Sequence, residues 1–268
     1  MPANATPGLK FAPFRAVFIV ASFLLFPWAL FAQTADDVVN AYLKARGGLD
    51  KVKTVKSERV TANVTLQPGT EAVLVYERKR PLKVHMEITL NGASFVRVYD
   101  GKSAGWVYNP FTPNAAVVPM TPEEIRGVAE ESDLDGPFVE YKAKGNQLEY
   151  LGTEELNGKP ARKLKLTTKS GEISYCFFDP ASGLILRIQS TRKIKEQDVP
   201  WQTDFRDFRD VDGLKYPFVV ESGAVGSHQV QKIAASKIEV NIPVDDSRFD
   251  KPVPQPPPAQ PADPAKPN

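Results

Sequence analysis

Apolar and polar residues alternate through the middle of the chain, which is the pattern of β-strands with one buried face. In residues 83–90 one face carries Val84, Met86, Ile88 and Leu90, and the other carries Lys83, His85, Glu87 and Thr89. This alternation predicts a strand with one buried side. Residues 173–178 are apolar at positions on both faces, so we expect that strand to be covered on both sides.

Short turn sequences separate these strands. Asn-Gly or Asp-Gly pairs stand at residues 91–92, 100–101, 157–158 and 212–213, and Asp179-Pro180 followed by Ser182-Gly183 marks a longer connection. Such pairs favour the tight turns that join antiparallel neighbours. The sequence therefore predicts a long antiparallel β-meander in which most strands pair with the next strand along the chain.

Helical spacing appears before this meander and again halfway along it. Residues 34–46 have an apolar stripe, Thr34 as the N-cap and Gly47-Gly48 as the stop, and they predict a first helix. Residues 121–124, Thr-Pro-Glu-Glu, combine an N-cap, a proline at the first helical position and a capping box, and they predict a second helix. A third, shorter helix is predicted in residues 137–145.

A strand that is apolar on both faces needs a covering layer on each side. In a flat sandwich that layer would be another sheet, whereas in a strongly curved sheet helices or a ligand can fill the concave side. The residues between the two termini are enough for one large β domain, which we place at residues 33–250.

The first 32 residues have the composition of an export signal. Lys10 and Arg15 precede an uncharged apolar run at residues 16–32. Cleavage after Ala32 would place Leu30 at the minus-three position, where smaller residues are preferred, so an uncleaved anchor is the alternative. The run contains Pro27 and is shorter than the roughly 20 apolar residues of a spanning helix. We therefore expect a cleaved signal and a periplasmic protein.

The last 18 residues, 251–268, contain eight prolines among polar residues and alanine. This composition lacks the apolar groups that would offset the entropy of ordering, so we predict a disordered tail. An extended spacer reaching toward the cell wall or a partner is the alternative.

Charge and cysteine content exclude several kinds of function. Residues 1–32 contain two of the 34 Lys and Arg residues and none of the 32 Asp and Glu residues, so the remainder is formally neutral. Nucleic-acid binding needs a surplus of cations that displace counterions, and we expect no such partner. Cys176 is the single cysteine, which excludes an internal disulfide, and we expect it to pack as a small apolar residue.

The sequence contains no recognisable catalytic set. Its two histidines, His85 and His228, are not accompanied by a nucleophile or carboxylate pair in a known pattern. The acidic and aromatic residues 204–210 suggest either a metal site or ion pairs along a strand, and exposed pairs of that kind contribute about 0–1 kcal/mol each. We favour ion pairs, and we predict that the protein is not an enzyme and uses no metal or cofactor.

Two tracts resemble a known family. The first is Lys79-Arg80-Pro81, and the second is Asp100-Gly101-Lys102 followed by Trp106 and by Tyr108-Asn109-Pro110-Phe111. They resemble the periplasmic LolA-like lipoprotein carriers, whose Lys-Arg-Pro motif and aromatic hairpin ending in Tyr-Asn-Pro-Phe they match, with one extra residue before Trp106. The resemblance is most specific in residues 76–111. Elsewhere it concerns the order and pattern of the predicted elements rather than identical residues.

The resemblance implies a mainly β (α+β) fold, namely a strongly curved antiparallel β-sheet or half-barrel with lid helices over an apolar cavity. It also implies that Arg80 bonds to backbone groups of the lid helices and holds the cavity shut, a task that suits its five fixed donors. The cavity is expected to be lined by Met86, Phe95, Trp106, Tyr108, Phe111, Phe177, Leu186, Phe205 and Phe218, under a lid containing Ile125, Val128 and Phe138.

Each of these assignments has a simpler alternative. Arg80 could be a solvated edge residue, and the aromatic side chains could be ordinary core residues. A shift of register by one residue would move Phe95, Phe177 and Phe205 to the other face of the sheet.

The function that this resemblance implies is a periplasmic carrier or chaperone. It would bind the acyl chains of lipoproteins, or lipids, and pass them as a monomer from an inner-membrane donor complex to an outer-membrane acceptor. The alternative is a binding module that senses lipid or lipoprotein and has no transport role, since the same superfamily includes sensor domains of envelope-stress regulators. A fully packed interior would instead indicate an envelope scaffold.

Overall fold

A computed structural model describes residues 33–254 except residues 68, 114, 196 and 228. The predictions for the signal segment, for tail residues 255–268 and for His228 lie outside these residues. Within them, no helix is long and apolar enough to cross a membrane.

One continuous antiparallel sheet of 13 strands forms most of the described chain. The strands are β1 Ser57–Gln67, β2 Thr70–Lys79, β3 Lys83–Leu90, β4 Ala93–Tyr99, β5 Gly105–Tyr108, β6 Val117–Pro119, β7 Gln147–Leu156, β8 Lys159–Thr167, β9 Ile173–Phe178, β10 Ile185–Ile194, β11 Gln197–Val211, β12 Leu214–Ala224 and β13 Gln231–Val240. Their order is β6-β5-β4-β3-β2-β1-β13-β12-β11-β10-β9-β8-β7, and the sheet does not close. The predicted mainly β fold, a curved half-barrel with lid helices, is confirmed.

The order of the strands shows where the chain departs from a simple meander. β1 pairs with β13, so that the beginning and the end of the described chain meet in the middle of the sheet. β6 and β7 follow each other in sequence but form the two opposite edges. The connection between these edge strands must therefore cross the open sheet, and this connection contains a helix.

The helices are α1 Ala35–Arg46, α2 Leu49–Thr54 and α3 Pro122–Ser132, followed near the C-terminus by a short 3-10 helix, Asp246–Phe249. The predicted N-cap Thr34 and the predicted capping box of Thr121 and Glu124 are confirmed, and Thr34 also forms a capping box with Asp37 at the start of α1. α2 was not predicted, because Gly47-Gly48 ends α1 as expected and a new helix begins at the next residue.

The third predicted helix, in residues 137–145, is wrong. These residues form consecutive turns, and the amide of Asn146 reaches back five residues to the carbonyl of Tyr141. Glu140 adopts a left-handed backbone conformation, with a φ of 49°, inside this segment. A residue in that conformation cannot continue a right-handed helix, which explains why the segment stays a series of turns.

The predicted Asn-Gly and Asp-Gly turns join the strands as expected. At Asn91-Gly92, for example, both residues have positive φ values, 51° and 78°. This is the type I′ geometry that matches the twist of an antiparallel pair. Asn157-Gly158 and Asp212-Gly213 have the same combination of φ values.

The two faces of the sheet are covered by different parts of the chain. We call the face that carries α1, α2 and α3 the inner face, and the other the outer face. On β3 the inner face carries Val84 and Met86, as the alternation predicts. The prediction that the opposite side of β3 is solvated is wrong, because the 3-10 helix covers it: His85 is 6% exposed, and its Nδ1 donates to the backbone oxygen of Arg248 at 2.7 Å.

The largest core cluster lies on the inner face, beneath α1 and α2. Val38 and Leu43 of α1 and Val52 of α2 pack against Leu164, Cys176, Phe178, Leu214 and Tyr216 of the sheet. Three rings, those of Tyr42, Phe138 and Phe178, meet edge to face with centroids 5.4–5.5 Å apart. Cys176 is fully buried in this cluster as predicted, and burial raises the pKa of its thiol to about 12. This part of the inner face is a filled core.

Candidate functional site

A cavity of about 300 Å³ lies between α3 and the inner face of the sheet. It is lined by Arg97, Val107, Met120, Glu124, Gly127, Val128 and Glu131. Gly127 lies in the middle of α3, and a Cβ atom added there would meet nothing within 4 Å. The helix therefore presents bare backbone at this point, which helps to leave the space beneath it open.

α3 is attached to the sheet by a narrow apolar contact. Val128 and Ser132 are its only buried residues, and Val128 packs against Val84, Tyr99 and Met120. Ile125 and Ala129 pack against the same cluster but are only half-buried. Such a small apolar area holds a helix weakly, so polar contacts must contribute to its position.

Side chains from three positions on β2 and β4 hold the C-terminal end of α3 through Glu131. The Nη2 of Arg97 donates to both carboxylate oxygens of Glu131 at 2.7 and 2.8 Å, and the hydroxyl of Tyr76 donates to the same carboxylate at 2.9 Å. The Nη1 of Arg78 donates to the backbone oxygen of Glu131 at 3.2 Å. α3 has no basic residue in its last turn, so these arginines supply the positive charge that the negative end of the helix dipole favours.

Arg78 is itself fixed by a buried ion pair. Its Nη2 lies 2.8 Å from Glu58, whose side chain is 3% exposed. Burial disfavours the charged form of Arg78, but the neighbouring Glu58 carboxylate outweighs burial and raises the pKa of Arg78. A charge-assisted pair of this kind keeps the guanidinium in place beneath the end of α3.

Arg80 joins α2 to the segment that follows α3. Its Nε donates to the backbone oxygen of Val55, the C-cap residue of α2, at 2.6 Å. Its two terminal nitrogens donate to the carboxylate of Asp135 at 2.6 and 3.1 Å. The hydrogen bond from Arg80 is the main cause that lowers the pKa of Asp135, and Asp135 in turn raises the pKa of Arg80. One arginine thus contacts a helix end and the chain just beyond α3.

A second, more open cavity of about 1130 Å³ lies at the end of the sheet where β1 begins and β13 ends. It is lined by Thr54, Lys56, Ser57, Lys79 and residues 241–245. None of the residues that the sequence singled out for the cavity belongs to this lining. The lining of the cavity beneath α3 contains one of them, Val128, and this cavity is therefore the better candidate for the expected site.

Comparison with known proteins identifies the fold. The sequence matches no protein-family model and no curated protein. Several solved structures are similar to this chain. A DUF1329 family protein from Desulfovibrio piger matches it with a TM-score of 0.52 and 14% sequence identity, and the match covers 80% of this chain and 96% of that one. An outer membrane lipoprotein-sorting protein domain from Vibrio parahaemolyticus has a TM-score of 0.52, 11% identity, and coverage of 80% and 97%.

A LolA superfamily protein from Nitrosomonas europaea has a TM-score of 0.50 and 12% identity, and the match covers 82% of this chain and 99% of that one. The protein has a LolA-like fold. The resemblance that the two sequence tracts suggested is thereby confirmed at the level of the fold.

Several of the side chains that we expected in the cavity lie on the inner face of this LolA-like fold. Met86 packs in a cluster with Ala62, Val64 and Leu74, and Phe95 pairs with Ile88 beside it. Phe205 and Phe218 pack against the core beneath α1. Of the lid residues, Ile125 and Val128 lie on α3, but Phe138 belongs to the filled core and covers no cavity.

Other residues that we expected to line the cavity lie on the outer face of the sheet. Trp106 and Tyr108 pack on the outer face against Val244 and Phe249, and Val107 between them faces the cavity instead. The reason is the connection from β4 to β5, in which the Asp100 carboxylate accepts hydrogen bonds from three successive amides, those of residues 102–104. This turn sets the register of β5, and a slip of one residue exchanges the two faces.

Three further residues also lie away from the cavity. Phe177 is buried on the outer face, where its cross-strand partners are Lys163 of β8 and Arg187 of β10. Its neighbours Cys176 and Phe178 point inward. Leu186 occupies an irregular position in the pairing of β9 with β10, and Phe111 is 54% exposed beyond the end of β5. The covering of β9 on both faces is thus limited to its second half, because Ile173 and Tyr175 are exposed.

Sequence reasoning missed the residues that hold α3. Arg78 begins the basic run 78–80 at the end of β2, and Arg97 is the single cation of β4. Neither fact distinguishes the two arginines from solvated residues. The available signal was their position on the apolar side of the pattern, since Arg78 follows Leu74 and Tyr76, and Arg97 follows Phe95, at intervals of two. A cation at such a position needs a partner inside the fold.

The acidic and aromatic residues 204–210 form ion pairs. Arg209 forms the predicted kind of ion pair along β11, with Asp207, whereas Asp204 and Arg206 pair across to Arg187 on β10 and Glu221 on β12. In the described part of the chain, no group of His, Cys, Asp and Glu residues could hold a metal ion. Burial, followed by the charge of Arg248, lowers the pKa of His85, which fits its role beneath the 3-10 helix.

Proposed function

We propose that the protein is a periplasmic carrier that binds acyl chains of lipoproteins, or lipids, beneath α3 and passes them toward the outer membrane. The observation that carries this proposal is the 300 Å³ cavity under a helix with only two buried residues, held largely by polar contacts at one end. A cover of this kind can move without exposing a large apolar surface. One of the similar structures is described as an outer membrane lipoprotein-sorting protein domain.

The cavity is at the lower limit of ligand sites, which span roughly 300–1,000 Å³. A long acyl chain therefore requires that α3 move outward. The chain could then extend along the apolar inner face past Met86, Ile88 and Phe95, which are all half-buried. Outward movement breaks the bonds of Arg97 and Arg78 to α3, and water can replace such bonds at a modest net cost of about 1.5–3 kcal/mol each for a charged donor.

The hydrophobic free energy of an acyl chain is nearly the same in the carrier and in a membrane. Each buried CH₂ group contributes about 0.8 kcal/mol relative to water, and a bilayer offers an acyl chain the same gain. Uptake and release are therefore nearly balanced. The direction of transfer must come from partners, namely an inner-membrane donor complex and an outer-membrane acceptor, and the carrier itself acts as a monomer that needs no cofactor.

The test is to purify the protein from an envelope fraction and identify bound acyl species by mass spectrometry. We expect acyl species on the parent and their loss in Gly127→Leu, which places a side chain in the cavity. Arg126→Leu is the matched control, because it adds the same side chain at the exposed neighbouring position of α3 and should keep the bound species. Absence of acyl species from the parent, or equal amounts in both variants, would contradict the proposal.

A further inference from the structure

Two buried donors on the inner face have no hydrogen-bond partner among the described residues. They are the Nε of Arg97, beside the cavity under α3, and the indole Nε1 of Trp201 on β11. Buried donors are nearly always paired, because an unpaired one forfeits the hydrogen bond that it had with water. Each of these two donors lacks a partner that a ligand accepting hydrogen bonds could supply.

Trp201 belongs to the inner face together with a second arginine. On β11, Trp201 lies four residues from Phe205, which packs in the inner core, and alternation places both on the same face. On β10, Arg192 lies four residues from the inward-facing Ile188. The guanidinium of Arg192 lies 4.5 Å from the centroid of the Trp201 ring. The inner face thus carries a cation on each half of the sheet, Arg97 and Arg192.

The carboxylate of Glu131 is bound by Arg97, and its charge also acts on Arg192. It accepts from Arg97 at 2.7 and 2.8 Å and from the hydroxyl of Tyr76 at 2.9 Å. Burial lowers the pKa of Arg192, and the negative charge of Glu131 acts against that effect, so the two groups are electrostatically coupled. Glu131 is nevertheless 43% exposed, at the rim of the cavity, where an entering ligand could reach its partners.

We propose that Arg97 and Arg192 bind the anionic head group of an acyl ligand, and that Glu131 occupies this site until the head group displaces it. Tyr76 and the Nε1 of Trp201 supply neutral donors to the same group. The inference rests on the proposed function and narrows its ligand from lipoproteins or lipids to one class: a lipid whose acyl chain ends in a carboxylate or a phosphate. The tail lies along Met86, Ile88 and Phe95.

Charge balance explains why this class is selected. A carboxylate or phosphate that replaces Glu131 leaves Arg97 paired, and the number of charges on the inner face is unchanged. An uncharged ester that moves α3 outward removes Glu131 and leaves a partly desolvated guanidinium without a counter-charge, which is costly. The site therefore discriminates by penalising the neutral ligand as well as by attracting the anionic one.

The test compares ligands that share a tail. Binding of palmitate, palmitoyl lysophosphatidic acid and methyl palmitate is measured by isothermal titration below their micellar concentrations. We expect the parent to bind at least one anionic ligand roughly tenfold more tightly than the methyl ester, as a charged hydrogen-bonded pair implies. The two anionic arms distinguish a fatty-acid carboxylate from a lipid phosphate.

Variants test which residues cause the preference for anionic ligands. Arg97→Met should remove most of the preference for anionic ligands, because it weakens their binding and also lifts the penalty on methyl palmitate, whose affinity should rise. Glu131→Gln should increase the preference by removing the internal competitor. Arg206→Met is the matched control, since Arg206 lies on the opposite face of the sheet in an exposed ion pair with Glu221. Circular dichroism melting checks folding, and Arg192→Met provides a second test of the site if Arg97→Met fails to fold.

The outcomes separate the two proposals. If the parent binds all three ligands equally, or if Arg97→Met and Arg192→Met keep the anionic preference, the head-group site is wrong and the acyl carrier stands. If the parent binds none of the three ligands, the proposed function fails together with the head-group site.

Discussion

The two helical covers of the inner face, α1 and α3, are attached in opposite ways. α1 buries Val38, Val39 and Leu43 and, with Tyr42, joins the largest apolar core of the protein. α3 is nearly as long but buries only Val128 and Ser132, and its C-terminal end is held by Arg78 and Arg97. Hydrophobic stabilisation falls in proportion to the apolar area that a moving helix exposes, whereas individual hydrogen bonds can be exchanged with water one at a time. A helix with little buried apolar area therefore loses less when it moves.

This difference divides the inner face into a part with a filled core and, in the proposed function, a part that opens. Beneath α1 the interdigitated rings of Tyr42, Phe138 and Phe178 leave no role for a ligand. Beneath α3 the structure keeps a cavity. A carrier needs both properties, because the filled half preserves the fold while the other half releases its contents.

The largest expected effect is on the filled half. Phe178→Ala should lower the free energy of unfolding by about 3–5 kcal/mol, since it removes a fully buried ring and leaves a cavity. Val128→Ala, under α3, should lower it by about 1–2 kcal/mol, the value for two or so buried methylene groups. Urea denaturation measures both. Equal losses in the two variants would contradict the division of the inner face.

The second prediction concerns Arg80. Replacing it with leucine removes the bonds to Val55 and Asp135 and should loosen the segment after α3 more than it destabilises the whole fold. We expect amide exchange in residues 122–135 to become roughly tenfold faster, which corresponds to about 1.4 kcal/mol of local opening. Cargo release should become faster to a similar extent.

Arg206→Leu serves as the control for Arg80→Leu, because it breaks an exposed ion pair on the outer face. Exchange in α3 should remain at the parent rate in this control. If Arg80→Leu leaves both exchange and release unchanged, Arg80 has a purely structural role at the end of α2.

Most of the local structure could be predicted from the sequence because its causes are local. The capping boxes of Thr34 and Thr121 and the turn at Asn91-Gly92 depend on residues within four positions of each other. The curvature of the fold and its lid were inferred through the resemblance of two short tracts, and the similar solved structures bear out the fold. Local signals and a short motif were thus sufficient for the architecture.

The site could not be predicted to the same extent, because it depends on contacts between distant parts of the chain. The outer cover of His85 comes from Arg248, 163 residues away. The face of Trp106 depends on how the turn at Asp100 sets the register of β5. Arg97 finds its partner on α3, 34 residues later. Alternation of apolar residues reports which strand is half-buried, but it cannot report which element supplies the cover.

The smallest expected effect is at Gly127, where the substitution should stabilise α3, whereas the preceding substitutions should destabilise the protein or loosen α3. Alanine is favoured over glycine within a helix by about 1 kcal/mol, and the added Cβ atom would meet nothing within 4 Å. Gly127→Ala should therefore stabilise α3 by about 0.5–1 kcal/mol and slow amide exchange in residues 122–132 up to about fivefold. The cavity should remain large enough for a ligand.

Gly105→Ala is the matched control, because it makes the same change on the sheet beneath α3. Its Cβ atom would lie 2.5 Å from the Sδ of Met120 and 2.8 Å from the Cδ1 of Ile125, so these two side chains must move, which disturbs the apolar contact between α3 and the sheet. Exchange in α3 should become faster in this variant. Faster exchange in Gly127→Ala as well would mean that the backbone at residue 127 is packed against the sheet, and the cover would then not be the loosely attached helix that distinguishes it from α1.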